Sequence, residues 1–404
     1  MEAALLGLTT IVLGVGGCLL YFYGSNVFLD KVLFPATGPN AGRNITRANQ
    51  IRPWLFLFPA MFALGLYLAY PVFATLWYSV TDRDQGGAFV GLANYNQMMA
   101  EPKFWEAMRN NMLWLIIVPA ASTAFGLLAA QLTDRLRWGS IAKSLIFMPM
   151  AISFVGASVI FKLIYDARPV DQAQIGIMNA VWLLFDGGAG SFLLLRLLPA
   201  LLMACGMAAA LYMIWNLIQT MREKGGFIAR GLFVLVFAFV AFSFARLGLG
   251  AFTAEHAYGE PQTWLTIPGW NSFLLMIVLI WIQTGFAMVI LSAALRGIPE
   301  ETIEAAIVDG ANPFQVFFKI KLPQISGTIV VVWTTITLTV LKVFDIVFAM
   351  TNGQWETQVL ANYMFDKLFR ANDWGVGSAA AMIIMLLVSP ILVWNVYNAR
   401  KEMR

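Results

Sequence analysis

Nine stretches of this chain are apolar over about 20 residues each, and no other feature restricts its fold as much. In hydrocarbon every backbone amide must find its partner within its own segment, so runs of that length are read as spanning helices. They lie near 3–23, 54–80, 111–132, 140–165, 191–219, 229–250, 272–295, 326–350 and 375–398. The expected fold is therefore all-α, a polytopic membrane helix bundle of about nine spans. Composition agrees, since 12% of the 404 residues are charged, against about 25% in a soluble domain. Cys18 and Cys205 both fall inside apolar runs and are read as packing residues, not as a disulfide or metal pair. His256, the one histidine, has no second imidazole for metal chemistry and is read as a solvated loop residue.

Positive charge resists translocation, so the side richer in Lys and Arg is cytoplasmic. If 24–53 lies inside, the inner segments hold Lys31, Arg43, Arg47, Arg52, Arg135, Arg137, Lys143, Arg222, Lys224, Arg230, Arg296, Lys319, Lys321, Arg400, Lys401 and Arg404, which is 16 of 26 basic residues. The outer side holds about 8. This predicts the N-terminus outside, the C-terminus in the cytoplasm and an odd number of spans. The first run lacks a basic leader and is followed by Lys31, Arg43, Arg47 and Arg52, which reads as a retained anchor. Basic residues scattered between apolar runs give no single face for nucleic acid. Trp54, Trp77, Tyr78, Trp105, Trp264, Trp270 and Trp374 fall at the expected interfaces and read as belt rings.

One polar interruption is unlike the others. Residues 296–323 predict two short helices and a turn, with Pro299 at a first helical position and Glu300 and Glu301 beside the positive end of the helix dipole. Gly310 closes the first helix, and Asn312 caps a second that starts at Pro313. Phe314, Phe317 and Phe318, at i, i+3 and i+4, are expected to share one face. From the residues alone, the partner of that face is either the rest of this chain or another protein.

The spacing Glu304-Ala305-Ala306, three residues, Gly310, nine residues, Ile320, one residue, Leu322-Pro323 reproduces the EAA signature of ABC importer permeases. The chain resembles that family, in which this loop forms coupling helices seated in a cleft of the ATP-binding subunit. The resemblance implies that Glu304, Ala305, Ala306, Asp309 and Gly310, with Phe314 and Phe317, couple the chain to an ATPase. No Lys follows a Gly anywhere in the sequence, so there is no Gly-Lys-Ser/Thr phosphate loop. The chain is expected to bind no cofactor and to be no enzyme by itself, with ATP and Mg held by a partner. The implied partners are a second homologous permease subunit, a dimer of ATP-binding subunits, an extracytoplasmic sugar-binding protein and membrane lipid, at a bacterial inner membrane.

Other segments are similar to permeases of the maltose and alpha-glucoside type: Phe89-Val90-Gly91-Leu92-Ala93-Asn94-Tyr95, Phe147-Met148-Pro149, Val343-Phe344-Asp345 and Met350-Thr351-Asn352-Gly353. The stretches Gly259-Glu260-Pro261-Gln262-Thr263-Trp264-Leu265 and Trp281-Ile282-Gln283-Thr284-Gly285-Phe286 are most similar to alpha-glucoside permeases. A sugar stripped of water needs its hydroxyls re-paired and its C–H faces packed on rings. In that family the contacts come from the spans flanking the loop, which implies Trp281, Gln283, Thr284 and Phe286 before it. After it, Thr337, Thr339, Lys342 and Asp345 are the polar candidates. Lys342 and Asp345 sit three apart and are expected to pair across one helical turn, either as a functional pair or as one that shapes the helix.

The expected organisation is an anchor and linker over 1–53 and a permease domain over 54–400, with the coupling loop at 298–323. Two extra spans at 190–250, joined by the basic turn Met221-Arg222-Glu223-Lys224, depart from the family pattern. They are read as a peripheral, lipid-facing hairpin. An ABC permease for a polyol or other non-glucoside carbohydrate is the alternative within the class. A secondary carrier would show two related halves with paired broken spans, and a membrane enzyme a cluster of catalytic side chains; the sequence has neither.

Overall fold

The computed structural model describes residues 2–38, 40–83, 86–134, 136–184, 189–224, 227–253 and 260–402, so His256 lies outside the described residues. The chain divides into two compact units, Met1–Trp77 and Tyr78–Arg404. In the first, α1 (Glu2–Phe28) runs into a π turn at Leu29–Leu33, and a long helix, α2 (Ala41–Ser79), follows, its last two residues counted in the second unit. The two are tied by Arg52 to Asp30 at 2.6 Å, by the Tyr21 hydroxyl donating to Leu55 O at 2.8 Å and by stacking of Phe22 on Phe56. Helix α2 passes unbroken through 53.

The second unit opens with a small antiparallel pair, β1 (Thr81–Asp82) and β2 (Ala88–Phe89), and a short helix α3 (Ala93–Ala100). Then come α4 (Pro102–Thr133), α5 (Gly139–Phe147), α6 (Phe154–Ile164), α7 (Ile177–Leu184), α8 (Leu198–Lys224), α9 (Phe227–Thr253) and α10 (Asn271–Arg296). The chain finishes with α11 (Glu300–Val308), α12 (Pro313–Gln324), α13 (Ser326–Leu341), α14 (Asp345–Met350), α15 (Leu360–Phe365) and α16 (Trp374–Glu402). The core lies where α10 packs along α4 and α13, with Leu113, Trp114 and Val118 facing Leu274, Leu275, Leu279 and Ile282.

Among the described residues six helices are long and apolar enough to cross a membrane, and two further pairs qualify only as bent spans. The expected span 140–165 is such a pair, meeting at 103°. Its break has a local cause. Pro149 sits in a 3₁₀ turn, Met148–Ala151, and Ser153 restarts the chain as an N-cap, its Oγ accepting from Gly156 N at 3.1 Å. The second pair, α12 and α13, meets at 69°, at the exit from the polar loop. The expected span 326–350 stops at Leu341 and resumes at Asp345.

Close packing uses glycine at two points on α10. A Cβ on Gly285 would lie 2.6 Å from Ile146 O and 2.9 Å from Phe147 Cα, and one on Gly126 of α4 would lie 2.5 Å from Ala287 Cβ. Trp264, expected as a belt ring, is instead 1% exposed: its Nε1 donates to Asn179 Oδ1 at 3.0 Å and its ring meets Trp182 edge-on. Helices α8 and α9 pack against each other, with Leu211, Tyr212, Trp215, Leu232 and Leu235 exposed.

Candidate functional site

The polar loop after α10 folds by cap chemistry. Helix α11 ends in a left-handed Gly310, φ +83°, whose N–H donates to Ile307 O at 3.0 Å while Ala311 N donates to Ala306 O at 3.0 Å. This 5→2 and 6→1 pair is a Schellman turn. A Cβ at Gly310 would meet no atom within 4 Å, so the backbone angle alone demands glycine. Helix α12 begins with a capping box: Asn312 Oδ1 accepts from Gln315 N at 2.9 Å and Gln315 Oε1 accepts from Asn312 N at 2.9 Å. Ile298, Val316 and Ile325 are buried and Ile303 is half-buried, and they anchor the loop to the helices.

What the loop leaves uncovered is apolar and acidic. Glu304, Ala305, Asp309 and Gly310 are exposed, with Ala306 half-buried. Glu304 makes no hydrogen bond or ion pair among the described residues. Val308 is 87% exposed and Phe314 76%. The three phenylalanines do not share one face as expected. Residues 316–321 form a π turn, which shifts the angular register. Phe314 and Phe318 point outward, whereas Phe317 lines a notch of about 220 Å³ with Ile303, Ile307, Ala311, Val316 and Gln131.

A cluster that sequence reading missed joins the loop to the bundle. Asp134, at the end of α4, accepts from Lys143 of α5, from Ser292 Oγ at 3.0 Å and from Arg296 Nε at 3.1 Å. Burial would raise the Asp134 carboxyl, but the Lys143, Ser292 and Arg296 hydrogen bonds hold it below the usual carboxylate range. The four residues come from three helices, and only their polarity at the ends of apolar runs could have singled them out.

The proposed pathway residues divide by burial. On α10, Gln283 is buried, Phe286 is half-buried, Thr284 Oγ1 is spent on Ile280 O at 2.7 Å, and Trp281 packs edge-on against Phe161. On α13, Thr337 is buried and bonds Trp333 O at 2.8 Å, and half-buried Thr339 bonds Thr335 O at 3.2 Å. Lys342 and Asp345 do not pair across a helical turn. The helix ends at Leu341, Phe344 adopts φ −136°, and both charged side chains are exposed with no ion pair between them among the described residues.

At the other end of α10 a second network stands. Residues 351–357 form a tight turn in which Asn352, Trp355 and Glu356 take φ of 53–60° and Gly353 takes 71°. Non-glycine residues in that region cost about 1–3 kcal/mol each and persist only when their surroundings impose them. Here Asn110 Nδ2 donates to Glu356 O and Gln358 O, both at 2.8 Å, Asn271 donates to Trp355 O, and Arg109 meets Glu356 at 3.2 Å. Nearby, the Tyr363 hydroxyl donates to Glu101 at 2.8 Å. Burial, then that hydrogen bond, pushes the hydroxyl well above its ordinary range, so it stays a donor.

Residues 122–402, most of the second unit and all of the loop, match the model of the binding-protein-dependent transport system inner membrane component. The chain belongs to that family. Among relatives of this permease, the alpha-glucoside transport system permease protein AglF of Rhizobium meliloti is 50% identical over 406 aligned residues, covering 100% of this chain and 99% of its own. The osmoprotective compounds uptake permease protein GgtC of Synechocystis is 36% identical, covering 87% and 100%. A chain of a bacterial ABC transporter that imports the polysaccharide alginate superposes with a TM-score of 0.59 over 90% of this chain and 99% of that one, at 15% identity, which speaks for the fold. The permease is a multi-pass membrane protein of helices, as its apolar runs predicted.

Proposed function

We propose that this permease is the membrane-spanning subunit of an ATP-driven, binding-protein-dependent importer of alpha-glucosides, working by alternating access at a bacterial inner membrane. The observation that carries the reading is full-length, 50% identity with an alpha-glucoside transport permease. The loop geometry supports it, because a capped, rigid two-helix projection with bare apolar side chains is suited to a cleft on another protein.

In this reading Glu304, Ala305, Ala306, Asp309, Gly310, Phe314 and Phe317 engage a dimer of ATP-binding subunits, which carry ATP and Mg. Trp281, Gln283, Thr284, Phe286, Thr337, Thr339, Lys342 and Asp345 belong to the substrate pathway. A sugar-binding protein docks on the outer loops, with the N-terminus outside and nine spans in all. The domain division is an anchor helix and cytoplasmic linker over 1–53 and a transport domain over 54–400. ATP closure shifts the equilibrium only through contacts that differ between the two states, and the loop is where those contacts lie.

The test is uptake of labelled maltose, sucrose and trehalose by cells carrying the assembled transporter. Saturable uptake abolished by Glu304→Lys, with the variant still inserted, is expected; undiminished uptake by that variant overturns the coupling role. A polyol or other non-glucoside carbohydrate is the second reading, favoured by the 36% identity to an uptake permease for osmoprotective compounds. Competition by polyols but not by alpha-glucosides would select it.

A further inference from the structure

The helix pair α8–α9 is nearly all apolar, yet one cation sits on the side turned to α4. Phe239, Phe242, Ser243 and Arg246 lie at i, i+3, i+4 and i+7 of α9 and so form one stripe. Facing it is the first part of α4, with Lys103, Trp105, Glu106 and Arg109, and the strained turn contributes Glu356. Together they line a groove of about 670 Å³. Arg246 is seven residues from the end of α9, about 10 Å below it. Trp105, half exposed at the start of α4, is a ring of the type found at headgroup depth.

The charges in the groove do not cancel. Three cations, Lys103, Arg109 and Arg246, face two carboxylates. Both carboxylates are engaged: Glu106 accepts from Lys103 at 3.0 Å and from Gln358 N at 3.1 Å, and Glu356 accepts from Arg109 at 3.2 Å. Arg246 has no counter-ion among the described residues. Arg109 is only 7% exposed, and its Nε is a buried donor without an acceptor. An unpaired cation flanked by hydrocarbon is costly and marks a site. Further along the same seam between α4 and the helix pair lies a second cavity of about 380 Å³, walled by Ile116, Ile117, Leu202, Met213 and Val240 without a charged side chain. A polar, net-positive groove followed by an apolar cavity is the chemistry of one amphiphile with an anionic head.

We propose that the inserted helix pair creates a binding site for an acidic phospholipid, its phosphate meeting Arg246 and Lys103 and its acyl chain following Phe239 and Phe242. A neutral sugar leaves Arg246 unpaired, and a zwitterionic lipid brings a fourth cation toward the three already present. The site is distinct from the coupling loop and from the pathway residues on α10 and α13.

The test uses the full chain, purified with its accompanying subunits and placed in nanodiscs of equimolar phosphatidylglycerol and phosphatidylcholine. Phospholipid retained after detergent exchange is read by native mass spectrometry. Phosphatidylglycerol is expected to be retained in excess, to fall about five-fold in Arg246→Ala, and to be largely kept in Arg246→Lys. Inorganic phosphate alone should not displace it. Should Arg246→Ala fail to assemble, Phe242→Ala, at a side chain 66% exposed, must lower retention with the thermal midpoint unchanged. Retention in the bulk lipid ratio, equal retention by wild type and Arg246→Ala, or displacement by inorganic phosphate each overturns the proposal.

Discussion

The two ends of α10 are built on opposite principles. At its N-terminal end, side chains from α4 reach over and hold the 351–357 turn in a backbone it would not adopt alone. At its C-terminal end the loop folds by its own caps, touches the bundle through a few aliphatic residues and the Asp134 cluster, and leaves phenylalanine and valine bare. The first end is held by bonds from side chains distant in sequence. At the second end the local fold is closed by its own caps while its apolar surface stays bare. Substitutions at the first end should therefore act on stability, and those at the second on transport.

The largest effect is expected from Gly310→Pro. Proline holds φ near −65° and lacks the N–H given to Ile307, against a native φ of +83°. Uptake should fall to background while membrane insertion, checked by fractionation and blotting, is retained. Next is Gly285→Leu, which drives side-chain atoms into the backbone at Ile146 and Phe147 and should cost about 3 kcal/mol; thermal melts of the purified complex measure it. Asn110→Ala removes two hydrogen bonds to the strained turn and should cost about 2 kcal/mol in the same assay. Phe314→Ala should leave the melt unchanged and lower stimulated ATPase, while Phe317→Ala should move both, since only Phe317 is packed. Equal behaviour of the two would erase the difference between a bare and a packed phenylalanine on the loop.

The smallest effect is one of pH. The Asp134 carboxyl is depressed in the folded state, so its contribution is present above the unfolded value near 4 and is lost as pH falls through the lower folded value. The difference in thermal midpoint between wild type and Asp134→Asn should stay constant from about pH 8 to 5, begin to shrink near pH 4 and vanish only below the lower folded value.

The long apolar runs were legible because lipid demands them, and the cap at Gly310 because only one residue type serves there. The break at Pro149 and Ser153 was not, since a window of hydropathy averages over a bend. The expected Lys342–Asp345 pair failed for a related reason: three residues apart means one face only if the helix continues, and it ends at Leu341. The Phe317 register depended on a π turn that periodicity assumed away. Asp134 and Arg296 are far apart in sequence and meet only because α4 and α10 pack side by side. The face of α8–α9 turned to α4 was hidden by an average that called the pair apolar.

Glycine contacts on α10 carry a mechanical consequence. Gly285 and the Ala287 that receives Gly126 lie near the midpoint of a 26-residue rod about 39 Å long. With backbone against backbone there, neither sliding nor local bending is cheap, and the point behaves as a fulcrum. A tilt of about 10° about it swings the two tips about 3–4 Å in opposite directions. A push of that size at Arg296 thus arrives, reversed, beneath the strained turn at the far tip.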